Sequence, residues 1–463
     1  MSERKDEIVD SGSLDLEERS SLRRVAGLST ELTDISEVEY RQLRLERVVL
    51  VGVWTDGTAA DAENSLAELK LLAETAGSEV LDALVQRRQR PDPATFIGSG
   101  KVDELRAAVE ATGADTVICD GELAPSQLRN LEDRVKVKVV DRVALILDIF
   151  AQHAKSAEGK AQVELAQLQY QSQRLRGWGG NLSRQAGGRA AGGEGIGGRG
   201  PGETKIETDR RRIQSRAAKL RRELAELRTT RDTKRANRQR HQIPSVALAG
   251  YTNAGKSSLL NRLTHAGVLV EDALFATLDP TTRRTQTSDG RVYTLSDTVG
   301  FVRHLPHQLV EAFRSTLEEV ADADLIVHVV DGSHPDPLGQ IVAVREVFAE
   351  IGADKVREII VVNKADAADP AVVREVLVRE PHAVVVSART GEGIDELLDL
   401  IESELPRPEV AMELVLPYER GDLLNRIHES GEIDEVEHRS DGTHIVARVS
   451  ADLAADLTPY LVE

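Results

Sequence analysis

Eight consecutive residues, Gly250, Tyr251, Thr252, Asn253, Ala254, Gly255, Lys256 and Ser257, have the types and spacing that hold a polyphosphate. A glycine-bounded loop between an apolar strand-like run (245–249) and a helix-like segment (257–263) turns its backbone N–H groups, and the positive end of the helix dipole, toward an anion. Lys256 reaches the β- and γ-phosphates, and the Ser257 hydroxyl is placed to ligate Mg²⁺. A chance glycine turn before a helix would offer the same spacing, but not the partners that follow downstream.

Those partners decide which nucleotide is held. Asp297, Thr298, Val299 and Gly300 end a second apolar strand (291–297), so that Asp297 can hold Mg²⁺ through water and Gly300 can approach the γ-phosphate. Asn363, Lys364 and Asp366 follow a strand at 358–363, and the Asp366 carboxylate can accept both N–H donors of the guanine edge, which adenine lacks. Ser387, Ala388 and Arg389 follow 383–386 and supply a turn facing the base. Four such elements in this order resemble the translation-factor-related GTPases. After Gly300, where many GTPases carry a glutamine that orients the attacking water, stands Phe301. A phenyl ring neither donates nor accepts a hydrogen bond, so intrinsic hydrolysis is expected to be slow. Arg303 and His304 are the candidates to move in, and Phe301 itself is expected to pack against switch I.

The elements that position these residues belong to a long, acidic chain. Its 463 residues exceed one core, and two to four domains are expected. The net charge is −19, yet residues 205–240 carry 14 Lys/Arg against 5 Asp/Glu, which leaves −28 on the rest. Any nucleic-acid contact is therefore expected on that one basic arm. The single cysteine, Cys119, lies in an apolar run and reads as core. No run has the length of a membrane span and the N-terminus does not read as a signal peptide, so a cytoplasmic protein is expected.

The pattern predicts a multidomain α/β protein. Residues 1–45 read as a polar, disordered tail and 46–140 as a small α/β domain with a mostly parallel sheet. Residues 141–242 read as a long antiparallel helical hairpin, its first helix unbroken from 141 to 176 and its tip a glycine-rich loop at 177–202. A Ras-like phosphate-loop domain (243–407) and a small α+β domain (408–463) of order βαββα complete the chain. His428, His438 and His444 in the last domain are too scattered for a metal site.

Two stretches keep alternatives open. Gly98, Ser99, Gly100 and Lys101 look like half a phosphate loop, with Thr95 where the first glycine belongs and Val102 where a hydroxyl belongs. They form either a tight turn capping a helix or a second nucleotide site, which would support nucleotide-dependent RNA remodelling of a helicase-like kind. The glycine-rich loop is either a linker or an RNA probe. Trp178, Asn181, Arg184, Arg189 and Arg199 could stack on bases or fork onto phosphates there, and Arg210, Arg211 and Arg212 continue the basic face on the following helix.

The glycine-rich stretch ending GRGPGET, the upstream IGSGK, the GYTNAGKSS loop, the run Phe275, Ala276, Thr277, Leu278 and Asp279, and the run from Asp297 to Pro306 together resemble the HflX family of GTPases, over about residues 47–463. The resemblance implies GTP/GDP binding and hydrolysis, a Mg²⁺ cofactor, and binding to the large ribosomal subunit and its rRNA. It also implies the hairpin tip near the peptidyl-transferase centre, splitting of stalled or idle ribosomes, and a monomer when off the ribosome. On the family's motif Thr277 is the second hydroxyl ligand of Mg²⁺; on chemistry alone Thr281 and Thr282 compete. Asn253 resembles an asparagine that ligates K⁺ in some related GTPases, or else it only braces its loop.

Overall fold

A computed structural model of the chain describes residues 47–175, 201–240, 243–264, 274–275, 277–278, 281–288, 290–303, 314–406, 410–440, 442–449 and 451–462. The 1–45 segment and most of the glycine-rich stretch lie outside them.

Strands β1 (Arg47–Trp54), β2 (Glu79–Arg87), β3 (Thr116–Asp120) and β4 (Lys138–Asp141) form an all-parallel sheet in the order β2-β1-β3-β4. Helices α1 (Ala59–Thr75), α2 (Ser99–Thr112) and α3 (Pro125–Val135) connect them. β1 and β3 are central, and their near-continuous Val, Ile and Leu content is what a strand covered on both faces requires. β2 is an edge strand whose apolar residues Val80, Leu81, Leu84 and Val85 are only half-buried around an exposed Asp82 and Ala83, and neither strict alternation nor a long apolar run reveals it. At the head of α2 the Gly98 N–H donates to Gln86 Oε1 at 2.7 Å, Val102 is buried, and Lys101 Nζ is 2.8 Å from both carboxylate oxygens of Glu104.

The helix expected to run unbroken from 141 to 176 is two helices, α4 (Arg142–His153) and α5 (Ala157–Leu175). Ala154 is extended (φ −64°, ψ 111°), and the Ser156 hydroxyl accepts the Gly159 N–H at 2.8 Å, capping α5. α4 buries Val143, Leu145, Ile146, Leu147, Ile149 and Phe150, so α5 folds back along it. The far end of α5 is clamped to the sheet. Asp141, fully buried, caps α4 through Ala144 N and also accepts from Tyr170 Oη at 2.7 Å and Arg174 at 2.5 Å. Helix α6 (Pro201–Arg240) packs on α5 through Ile213, Ala217 and Leu220, spaced four and three apart, against Ala161, Leu165 and Leu168.

The second sheet has the order β10-β9-β8-β5-β7-β6, built from β5 (Ser245–Gly250), β6 (Thr281–Gln286), β7 (Val292–Asp297), β8 (Leu325–Asp331), β9 (Arg357–Asn363) and β10 (Val384–Val385). All its pairings are parallel except β6 with β7. Its helices are α7 (Lys256–Thr264), α8 (Arg314–Ala321), α9 (Pro337–Ile351), α10 (Pro370–Arg379) and α11 (Ile394–Glu404). The carboxyl ends of β5, β7 and β9 and the loop after β10 gather on one edge, where ligands of open α/β sheets bind. In the last unit β11 (Val410–Leu416), α12 (Gly421–Ser430), β12 (Glu432–Arg439), β13 (Gly442–Val449) and α13 (Ala451–Leu457) follow the expected βαββα order, on an antiparallel sheet β11-β13-β12.

Candidate active site

The loop from Gly250 to Ser257 leaves β5 and turns into α7. Gly255 (φ +90°) cannot be replaced without collision, since a Cβ there would lie 2.3 Å from Asn363 Nδ2. That amide crosses the loop to donate to Ala254 O at 2.8 Å. Lys256 is buried and donates to Tyr251 O at 2.8 Å and Gly250 O at 3.2 Å. Burial pushes its ammonium down to about 8, partly opposed by Asp297. Asn253 sits at positive φ (57°) with its side chain exposed.

Three oxygen donors meet beside the lysine. Ser257 Oγ lies 2.8 Å from Thr277 Oγ1 and donates to Asp297 Oδ2 at 2.6 Å. Asp297 is 1% exposed and its Oδ1 has no hydrogen-bond partner. Burial raises its carboxyl, against the opposing pull of Lys256, Ser257 and Thr277. A buried carboxylate with one unsatisfied oxygen beside two hydroxyls suits a small hard cation, so these residues fit Mg²⁺. Of the competing threonines, Thr282 Oγ1 instead pairs with Ser296 Oγ at 2.8 Å and Thr281 opens β6 opposite Asp297.

Switch II begins by docking on the phosphate loop. Phe301 N donates to Gly250 O at 3.1 Å and Thr252 N to Phe301 O at 2.8 Å. The Phe301 ring is 1% exposed and meets Phe348 of α9 edge-on, centroids 6.0 Å apart. Among the described residues its ring contact is Phe348 of α9; most of the segment around Thr277, the switch I expected to pack against it, lies outside them. Arg303 is turned away from the phosphate loop and paired with Asp336, which also caps α9 through Gly339 N at 2.9 Å. His304 lies outside the described residues.

On its other side the loop touches the first sheet's helices, a relationship with no local signature in the sequence. Tyr251 Oη donates to Glu68 of α1 and accepts the Arg303 N–H at 2.5 Å. Glu68 is held in turn by Arg142, which also bonds Asp120 at 2.7 Å. Phe275, at positive φ (58°), meets Phe150 of α4 edge-on at 4.6 Å. The groups are 183 and 125 residues apart, and only the fold brings them together.

The base side is built from β9 and the loop after β10. Asn363 Oδ1 accepts the Ala388 N–H at 3.0 Å, and Asp366 Oδ1 accepts from the buried Ser387 hydroxyl at 2.6 Å. Arg389 Nε, on an exposed side chain, lies 3.1 Å from Asp366 Oδ2. The Ser387 hydroxyl, with Arg389, holds the Asp366 carboxyl below the usual carboxylate range. Lys364 (φ 64°) turns back to Asp331 at 2.7 Å. The structure thus brings together Gly250 to Ser257, Thr277, Asp297 to Gly300, Asn363, Lys364, Asp366 and Ser387 to Arg389. Ala276, Asp279, Trp178, Asn181, Arg184, Arg189 and Arg199 lie outside the described residues. Arg210, Arg211 and Arg212 are exposed on α6, away from its packed stripe.

Comparison with known proteins agrees with this architecture. Residues 63–151 match the model described as GTP-binding GTPase N-terminal, 153–238 the GTP-binding GTPase middle region, 245–364 a 50S ribosome-binding GTPase, and 371–461 the HflX C-terminal domain. GTPase HflX of Lacrimispora saccharolytica is 46% identical over 92% of this chain and 98% of its own length. GTPase HflX of Escherichia coli is 42% identical over 86% of this chain and 92% of its own. Among solved structures, a GTP-binding protein of Sulfolobus solfataricus in complex with GDP is similar at 24% identity, covering 78% of this chain and 98% of that one, with a TM-score of 0.39. With a guanine-nucleotide site in place and relatives matched nearly end to end, the chain belongs to the HflX family of GTPases and is a GTP hydrolase.

Proposed function

We propose that this GTPase binds the large ribosomal subunit in its GTP form and splits stalled or idle ribosomes. The observation that carries the reading is the arm. α6 packs one apolar stripe on α5 and leaves Arg210, Arg211, Arg212, Arg221 and Arg222 exposed, on a helix that follows directly from the glycine-rich stretch. Exposed guanidinium groups gathered on one helix suit the regular phosphates of folded RNA, and the rest of the chain is too acidic to compete for them. The name of the matched model, 50S ribosome-binding GTPase, points to the same partner. In this account the tip 177–202, with Trp178, Asn181, Arg184, Arg189 and Arg199, displaces rRNA at the peptidyl-transferase centre while α6 supplies the attraction. A cytoplasmic protein, monomeric off the ribosome, follows from that role.

In the nucleotide site Lys256 neutralises the β- and γ-phosphates, Gly300 brings switch II against the γ-phosphate, and Asp366 with Asn363 fixes guanine. Ser257, Thr277 and, through water, Asp297 would hold Mg²⁺, which would spread the charge that develops on the phosphates. Asn253 would add a K⁺ ligand, a reading that its exposed side chain supports. Sedimentation of the protein with isolated large subunits in GTP and in GDP tests the reading: nucleotide-independent sedimentation would count against it. No geometry at Lys101, engaged by Glu104, favours a second nucleotide site.

A further inference from the structure

The site as described lacks a side chain to orient the attacking water. The Phe301 ring meets Phe348 edge-on and Arg303 is held by Asp336. Lys256, Ser257 and Thr277 are committed to phosphate and metal. Among the described residues, one buried side-chain hydroxyl of the loop has no work assigned. Thr252 is 5% exposed, and its Oγ1, like Asp297 Oδ1, is a buried oxygen of this site with no hydrogen-bond partner. A buried hydroxyl without a partner is destabilising, so its retention calls for an explanation.

Its position supplies one. The Thr252 backbone is fixed by its N–H on Phe301 O at 2.8 Å. Its side chain lies against Gly300: a Cβ built on Gly300 would come within 2.7 Å of Thr252 Cγ2 and 3.1 Å of Lys256 Nζ. The Thr252 methyl, Gly300 and the Lys256 ammonium therefore border one space, and rotation about the Thr252 Cα–Cβ bond brings the hydroxyl into it where the γ-phosphate would sit. We propose that Thr252 is a catalytic residue whose hydroxyl contacts the γ-phosphate and the attacking water, the work a glutamine does where Phe301 stands here. A hydroxyl has one donor and two acceptor sites, enough to accept from the water and donate to a γ-phosphate oxygen at once. The water oxygen bonds to the γ-phosphorus, the bond from that phosphorus to the β–γ bridging oxygen breaks, and GDP leaves with the electron pair. The water proton passes to a γ-phosphate oxygen, and Thr252 gains and loses none.

The test is single-turnover GTP hydrolysis by the full chain without ribosomes, beside GDP affinity, for Thr252→Val, Thr252→Ala and Thr252→Ser. Loss of a preorganised hydrogen-bonding group at a transition state costs about 10²-fold, so valine and alanine should slow hydrolysis by about that factor while serine stays within about threefold. GDP affinity should change little in all three, since GDP lacks the γ-phosphate. Valine and alanine hydrolysing within about threefold of the parent would overturn the assignment, as would a serine as slow as alanine. Should valine disturb the loop and weaken GDP binding, serine against alanine decides: a serine faster by about tenfold or more upholds the role, and equal rates end it.

Discussion

The Tyr251 hydroxyl donates to Glu68 of α1 and accepts the backbone N–H of Arg303, so one phenol ties the phosphate loop, the start of switch II and the first sheet's helices together. The side chain is buried, and burial with the Glu68 carboxylate beside it keeps the phenol protonated far above the neutral range. Tyr251→Phe takes one partner from the part-buried Glu68 carboxylate and leaves the Arg303 N–H without the phenol oxygen. It should destabilise the full chain by about 1–3 kcal/mol, read as a lowered urea midpoint, and an unchanged midpoint would show that the bond contributes nothing.

Asp366→Asn should turn the nucleotide preference from GTP to XTP. The amide cannot accept guanine's two N–H donors but can donate to a 2-oxo group. Competition binding measures this, and a variant that still prefers GTP would remove Asp366 from the base site.

Lys256 gives a pH dependence with a definite sign. Its pKa is depressed to about 8 in the nucleotide-free fold. Phosphates raise it again, so binding takes up a proton above that value. Affinity should be flat below pH 8 and fall as pH rises past it, by at most about tenfold per unit. For stability the same depression means that the unfolded chain binds more protons between pH 8 and the ordinary lysine value near 10.5. This group's contribution is therefore present above that ordinary value and lost as pH falls through 8. Lys256→Ala should bind GTP far more weakly and lack the slope, as isothermal titration across pH would show.

Much of this was legible in the sequence because the motifs are local. Gly250 to Ser257, Asp297 to Gly300 and Asn363 to Asp366 each stand at the end of an apolar strand, and strand order does the rest. What was not legible is non-local. β2, an edge strand, shows neither strict alternation nor a long apolar run, and the break at Ala154 turns on a single serine cap. The Phe301 ring meets Phe348, 47 residues on, and Arg303 meets Asp336; neither partner has a signature before the fold is known.

Phe301→Ala separates packing from chemistry. Emptying a site that is 1% exposed should cost about 3–5 kcal/mol of stability, while hydrolysis per folded molecule stays within several-fold, since the ring moves no proton. A loss of several hundred-fold at full folding would refute this.

Replacing Arg210, Arg211, Arg212, Arg221 and Arg222 by glutamine should weaken binding to the large subunit and flatten its salt dependence. Each lost phosphate contact lowers the log–log slope by about 0.7 to 0.9. The helix itself should persist, because Ile213, Ala217 and Leu220 are untouched. An unchanged slope would take the arm off the RNA.

The most direct measurement is sedimentation of intact ribosomes incubated with the full chain and either a non-hydrolysable GTP analogue or GDP. The account predicts separated subunits, with the protein on the large one, in the GTP analogue and intact ribosomes in GDP. Ribosomes that stay intact in both, or split equally in both, would contradict it.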